Sequence, residues 1–351
     1  MQTLFHGLSL SLVLLAAGAQ KPRGPDTVEV TNGKPIAGRV VFEGDEFVVV
    51  QSGRGEFEVE RTKVAAVRSI ERSLVEFIRR FDALSKTDAA ALSELAQWCA
   101  ANALEHEARN LWLRVLALDP TREAAIAGSG ARKRGASLQV QSGRDWLDLD
   151  AFRGAKAKWR DAVELRTAHF QITTDHPIDL VLDVSVQLER HYARFYDFLG
   201  ADLLLYVFSE VPEVRIYTRD KDFPLPWVGG ERCWFAPGEN VLHALAVEPY
   251  DLRQIVREVT EMLIFNAARR SSGKTGQMPA WAAAGLSDFF GATAAEQVGG
   301  PWLELGTPNV AFFRVHASQR DPIELKRLFT SSWGEIRRGT MRRSAPRRPT
   351  R

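Results

Sequence analysis

Four side chains in the C-terminal half of the chain have types and spacing that bear on chemistry: Arg257, Glu258, Glu261 and Asp288. Glu258 and Glu261 stand three residues apart, so a helix carries both carboxylates within one turn. A carboxylate so placed can serve as a general base, and together with Asp288 the pair offers oxygen ligands for a cation. Arg257 precedes Glu261 by four residues and is its helical neighbour of opposite charge. An exposed pair of that kind contributes roughly 0.2–0.5 kcal/mol, and base before acid is the weaker order. This arrangement predicts that Arg257 neutralises Glu258 and Glu261.

Other reactive groups point elsewhere. His169, His176 and His191 are close in sequence but fall on a strand, a turn and a helix without ligand spacing, which predicts structural roles. Ser271-Ser272-Gly273-Lys274-Thr275-Gly276 lacks the GxxxxGK[ST] spacing and follows a helix instead of a strand, so it reads as a connection and not as a phosphate loop. The two cysteines, Cys99 and Cys233, each adjoin a Trp and have no CxxC spacing. That leaves two buried thiols or one bridge in an oxidising compartment, and no cysteine metal site or redox pair. Trp227, followed by Gly229-Gly230, could line a cleft.

Around the charged residues stands a frame: Pro279, Trp281, Gly285, Leu286, Phe289 and Phe290, with Asp288 among them. The segment 251–290 resembles the core of the gluzincin superfamily of zinc metallopeptidases, and is most like a group of exported bacterial proteins within it. In that superfamily one helix carries HExxH and a second opens with a pattern like P-x-W-x-x-E-G-L-A-E-Y-F. Two His and the later Glu hold zinc, and the first Glu polarises a zinc-bound water. The resemblance places Arg257 at the first His, Glu258 at the general base, Glu261 at the second His and Ala284 at the third ligand. It spans roughly 146–329.

These departures decide the chemistry that the resemblance implies. A guanidinium stays protonated and is never a neutral nitrogen ligand, and the methyl group of Ala284 has no donor atom. No other HExxH occurs among the seven His. The expectation is a vestigial site of Arg257, Glu258, Glu261, Ala284 and Asp288, with no catalytic residue, metal or cofactor. The plainer reading is an amphipathic core helix burying Leu252, Ile255, Val256, Val259 and Leu263 with its charges solvated.

The elements that must position these residues follow from periodicity. Residues 20–72 alternate in short strands, with hairpin signals at Asn32-Gly33, Glu43-Gly44-Asp45 and Ser52-Gly53-Arg54-Gly55, and predict a small antiparallel sheet or barrel of about four strands. Residues 73–130 change to helical period: Leu74, Phe77, Ile78 and Phe81 share a face, and Asp88 can cap the next helix. Leu95, Ala96, Cys99, Ala108, Trp112 and Pro120 suit a tetratricopeptide-like helical hairpin or a plain one. Residues 131–145, Gly- and Ser-containing and basic, read as a linker. Within 146–330 we expect strands at 169–174, 214–217, 232–235 and 241–247. A helix should carry Val184, Leu188, Tyr192, Phe195 and Leu199 on one face, and two more should lie near 251–270 and 280–290. The fold class is α+β and multidomain.

The chain ends carry further information. Residues 8–19 form an apolar run ending in Ala17-Gly18-Ala19, which suits a signal peptide over 1–19 cleaved near Ala19 and export to the periplasm or beyond, although residues 1–7 hold neither Lys nor Arg. Later stretches are not apolar enough to predict a transmembrane segment. A short helix is expected at 323–329, then an Arg-rich disordered tail over 331–351. Residues 337–351 hold seven Arg and no acid, so removing those seven charges from the formal +2 leaves the rest at −5. An acidic body argues against nucleic-acid binding. The tail is either an arm for an acidic partner or out-of-frame sequence. Two functions are expected from the whole: an exported, catalytically inactive peptidase-like protein that binds or scaffolds a peptide or protein partner in the cell envelope, or a residual hydrolase with Glu258 as base and a cation at Glu258, Glu261 and Asp288.

Overall fold

The computed structural model describes residues 26–208, 210–224, 232–245, 252–268 and 278–305. The expected leader, Trp227 with its glycines, the 271–276 connection, the 323–329 helix and the basic tail lie outside them. The described chain is mixed α and β. Five strands come first: β1 (Asp26–Val30), β2 (Ile36–Glu43), β3 (Phe47–Ser52), β4 (Gly55–Glu60) and β5 (Val64–Arg68). They form one antiparallel sheet in the order β4-β3-β2-β1-β5, one strand more than the sequence pattern predicts. The three turn signals join β1 through β4 as expected, and the extra strand returns to pair with β1. Val28, Val40, Val48, Val50 and Val67 close its core.

A bulge in β2 gives this sheet a second apolar face. Val40 pairs with Val50, but Phe42 pairs with Val49, so one residue is skipped and the side-chain phase inverts. Val41, Phe42 and Val49 consequently pack on Tyr206, and the Val207 N–H donates to the Val41 carbonyl at 2.9 Å. Buried Asp26 fastens the same corner by accepting from the N–H groups of Val40 (2.8 Å) and Ile70 (3.2 Å).

Four helices follow: α1 (Ile70–Asp82), α2 (Ala89–Ala101), α3 (Glu105–Leu118) and α4 (Glu123–Ser129). Ser69 caps α1, and Asp88 caps α2 through the N–H groups of Ala90 and Ala91, as its position predicts. Leu74, Phe77, Ile78 and Phe81 are all buried, and α2 and α3 form the expected hairpin.

The expected linker at 131–145 is instead part of a three-stranded antiparallel meander: β6 (Arg132–Arg134), β7 (Ser137–Ser142) and β8 (Asp145–Asp148). The glycines that suggested a loop are hairpin residues. Gly135 and Gly143 take φ of +60° and +56°, the left-handed backbone that a two-residue turn needs. After α5 (Leu149–Arg153) the chain enters the main sheet, built from β9 (Val163–Arg166), β10 (Gln171–Thr174), β11 (Glu213–Tyr217), β12 (Cys233–Ala236) and β13 (Val241–Leu245). Its order is β12-β13-β11-β10-β9, with β10, β11 and β13 parallel and both edges antiparallel. The long helix α6 (Ile178–Leu199) connects the parallel strands β10 and β11. It buries Val184, Leu188, Tyr192, Phe195 and Leu199 as its spacing predicts. Helices α7 (Leu252–Ala268) and α8 (Ala280–Thr293) complete the described fold. Among the described residues no helix is long and apolar enough to cross a membrane.

Candidate functional site

Helix α7 is anchored by its apolar stripe. Leu252, Val256, Val259 and Leu263 are fully buried and Ile255 nearly so, as expected from their spacing. Thr260, on the same side, lies 2.9 Å from His191 Nε2 and ties α7 to α6. With that face fixed, the charged residues project in different directions. Arg257 turns toward α8, where its Nε lies 3.0 Å from Asp288 Oδ1. Glu258 turns toward the sheet edge, where Oε2 accepts the Phe235 N–H of β12 at 3.0 Å. Since β12 is an edge strand, an outward N–H needs a partner from outside the sheet, and Glu258 supplies it.

The two helices run antiparallel and close together. A Cβ on Gly291 would stand 3.1 Å from the Arg253 carbonyl oxygen and 3.3 Å from Arg257 Cβ, so this position of α8 rests directly on α7. Arg253 also pairs with Glu296 beyond the end of α8. From the Arg257–Asp288 contact, one turn forward along α7 leads to Glu261 and one turn back along α8 leads to Ala284. The helix pair therefore brings the sequence-predicted residues to one region. It does not converge them on a point, because Glu258 is directed to β12.

Arg257, expected to neutralise Glu258 and Glu261, also reaches across the helix crossing to Asp288. Asp288 belongs to another element, and the crossing at Gly291 brings it within reach. Glu261 is buried, near Cys233. Burial first, and then the negative charge of Glu258, push the Cys233 thiol far up, with Glu261 adding to the same direction. Cys233 and Cys99 are both buried and free.

The donor set does not suit zinc. Position 257 presents a guanidinium, position 284 a methyl group, and Glu258 is engaged with a backbone N–H. Among the described residues no group of three or more His, Cys, Asp or Glu is arranged to hold a metal ion. The three histidines considered from sequence lie apart with separate partners. His169 contacts Glu189, His176 Nε2 lies 3.3 Å from the Tyr217 carbonyl, and His191 meets Thr260. Burial, followed by the charge of Arg194, pushes His191 down to about 3, so it stays neutral.

A second polar centre was not visible in the sequence pattern. The turn joining β9 to β10, residues 167–170, is buried, with His169 1% exposed. A hairpin turn inside a protein leaves backbone donors that water cannot reach, and carboxylates from two helices satisfy them. Glu107 of α3 accepts the Ala168 N–H at 2.7 Å. Glu189 of α6 accepts the His169 N–H at 2.8 Å and lies 2.7 Å from its Nδ1. Glu71 of α1 lies 3.8 Å from His169 Nε2. Burial and the nearby Glu189 push Glu107 up to about 7, while for Glu189 the charge and hydrogen bond of His169 outweigh burial and lower it. One signal for this centre exists in the sequence: Glu107 and Glu189 fall in the apolar phase of their helices, beside Ala108 and Leu111 and beside Leu188 and Tyr192.

No protein-family model, no curated protein and no solved structure matches the chain.

Proposed function

We propose that residues 146–330 are a gluzincin-like domain that has lost its metal site, and that the protein is an exported, non-catalytic binding or scaffolding protein of the cell envelope. The observation that carries this reading is the Arg257–Asp288 ion pair. It stands where the resemblance puts a zinc ligand, and a positive charge fixed there opposes a divalent cation. Glu258 supports the same reading, because the carboxylate that would polarise a water accepts a backbone N–H instead. The partner we assign to the old cleft is a peptide or protein segment. The five-stranded module and the helical hairpin, which we take as tetratricopeptide-like, provide further contact surfaces, an assignment made by analogy of form.

Restoring the ligands tests the reading. The triple substitution Arg257→His, Glu261→His and Ala284→Glu should bind zinc one-to-one in isothermal titration calorimetry, whereas the unmodified chain should not. Absence of zinc uptake by the folded triple variant would refute the gluzincin frame. Tight stoichiometric uptake by the unmodified chain, or peptide cleavage abolished by Glu258→Gln, would replace the binding role with the residual hydrolase.

A further inference from the structure

A cavity of about 220 Å³ lies where the bulged strand β2, the start of α1 and the end of α6 meet. It is far from a water-sized void, which needs only ~10–15 Å³, and an apolar cavity of ~150 Å³ already accommodates benzene. Its apolar wall includes Val41, Leu74 and Leu205, and its aromatic wall is Tyr192 and Tyr196. The rim reaches solvent at Val75 and Asp197, both exposed.

The charged side chains that line this cavity are mostly acidic. Three carboxylates line it, those of Glu43, Glu71 and Asp197, with one guanidinium, that of Arg72. Arg72 is committed to Glu43, which Arg61 also engages at 2.8 Å. Glu71 is opposed by His169 and, less strongly, by Arg39, whereas Asp197 stands at the exposed rim. Two buried polar atoms of the lining have no hydrogen-bond partner among the described residues: Glu71 Oε2 and the hydroxyl of Tyr192, a residue only 1% exposed. An unsatisfied buried polar group costs roughly 1–3 kcal/mol, more when charged, so two at one cavity indicate a missing polar partner. Burial alone would raise Glu71, but the neighbouring His169 outweighs it and holds the group below its ordinary value.

We propose that this cavity is a binding site for a small organic cation, an ammonium or guanidinium head on a short apolar stem. The head donates to Glu71 and to the Tyr192 hydroxyl, and an ammonium has three such donors and no acceptor. The stem lies along Val41, Leu74 and Leu205, in place of water that those side chains cannot hydrogen-bond. A neutral alcohol offers one donor where an ammonium offers three, and a carboxylate offers none to Glu71. The site stands apart from the α7–α8 region and does not depend on how that region is read.

The test is calorimetric titration of the full chain with n-butylamine, n-butanol and butyrate at neutral pH, with thermal melts alongside. Butylamine is expected to bind one-to-one and raise Tm, and the other two are expected to do neither. Glu71→Gln should weaken the amine at least tenfold and Tyr192→Phe several-fold. Ala193→Leu, which places a larger side chain on the cavity wall, should abolish binding in a protein that still melts cooperatively. Glu94→Gln, on exposed α2 surface, should change nothing. Equal binding of all three probes would show an unselective apolar hole and overturn the proposal. So would no amine binding at millimolar concentration, or binding unaffected by both Ala193→Leu and Tyr192→Phe.

Discussion

The α7–α8 crossing and the buried turn around His169 place charges in opposite settings. At the crossing, the side chains of Arg257 and Asp288 are 37% and 38% exposed and face each other across two helices. At the turn, Glu107, His169 and Glu189 are 3% exposed or less, and their partners include backbone N–H groups with no access to water. Water screens the first arrangement and contributes little to the second. The residues that look chemical in the sequence are therefore the energetically minor ones, and the molecule's integrity rests on carboxylates that the helical pattern would class as core.

The largest expected effect comes from breaking the buried centre. Glu189→Leu removes the acceptor for the His169 N–H and the partner of its ring, leaving both stranded inside the protein. Loss of one member of a buried, hydrogen-bonded pair costs about 3–5 kcal/mol. Urea denaturation should show that fall in stability, and a loss under ~1 kcal/mol would mean that water reaches the turn. Next in size is Gly291→Val, which forces a branched side chain against the Arg253 carbonyl and Arg257 Cβ. Overpacking of this kind costs about 1–3 kcal/mol, again readable by denaturation, and it should also separate Arg257 from Asp288.

Sequence reading reached different depths in the two regions for a physical reason. Periodicity reports which face of an element is apolar, and so it located α6, α7 and α8 and identified Leu252, Val256 and Val259 as core. It also separated the turn chemistry of β1 to β4. It missed β6 to β8 because Gly and Ser mark both loops and tight hairpins, and only the left-handed backbone of Gly135 and Gly143 distinguishes them. It also missed β9. Local spacing proposed Glu261 as the partner of Arg257, but the choice of Asp288 depends on a helix crossing 34 residues away in sequence from Arg257 to Gly291. The centre at His169 assembles residues from α1, α3, α6 and a turn, and nothing local connects them.

The buried centre also has a pH signature. Glu107 is raised to about 7 in the folded chain from an ordinary value near 4.5. The native state therefore holds a proton there that the unfolded chain has released between those values. Its contribution to stability is fully present below about 4.5 and is lost as pH rises through about 7. His191, held neutral down to about 3, acts in the opposite sense, losing stability as pH falls below its ordinary 6.5, and Asp26, which burial raises to about 7, acts in the same sense as Glu107, so the total slope mixes all of them. The difference between the unmodified chain and Glu107→Gln isolates the first. That variant should gain in relative stability as pH rises from 4.5 to 7.5, by ~1 kcal/mol or more, since one pKa unit corresponds to ~1.36 kcal/mol. A difference independent of pH would show that Glu107 is ionised throughout.

The smallest effect is expected at the crossing itself. Arg257 and Asp288 form a close ion pair, but each is more than one-third exposed, so solvent screening and side-chain entropy take back most of the Coulomb attraction. A double-mutant cycle of Arg257→Ala and Asp288→Ala should give a coupling of ~0.2–1 kcal/mol, diminishing as salt is raised. The paired residues at the crossing thus contribute little to the fold, and the packing at Gly291 keeps the two helices together without them. A coupling above ~2 kcal/mol that resists salt would mean that the pair is shielded from water. The crossing would then belong, with the His169 turn, to the structural interior, and the contrast between the two regions would disappear.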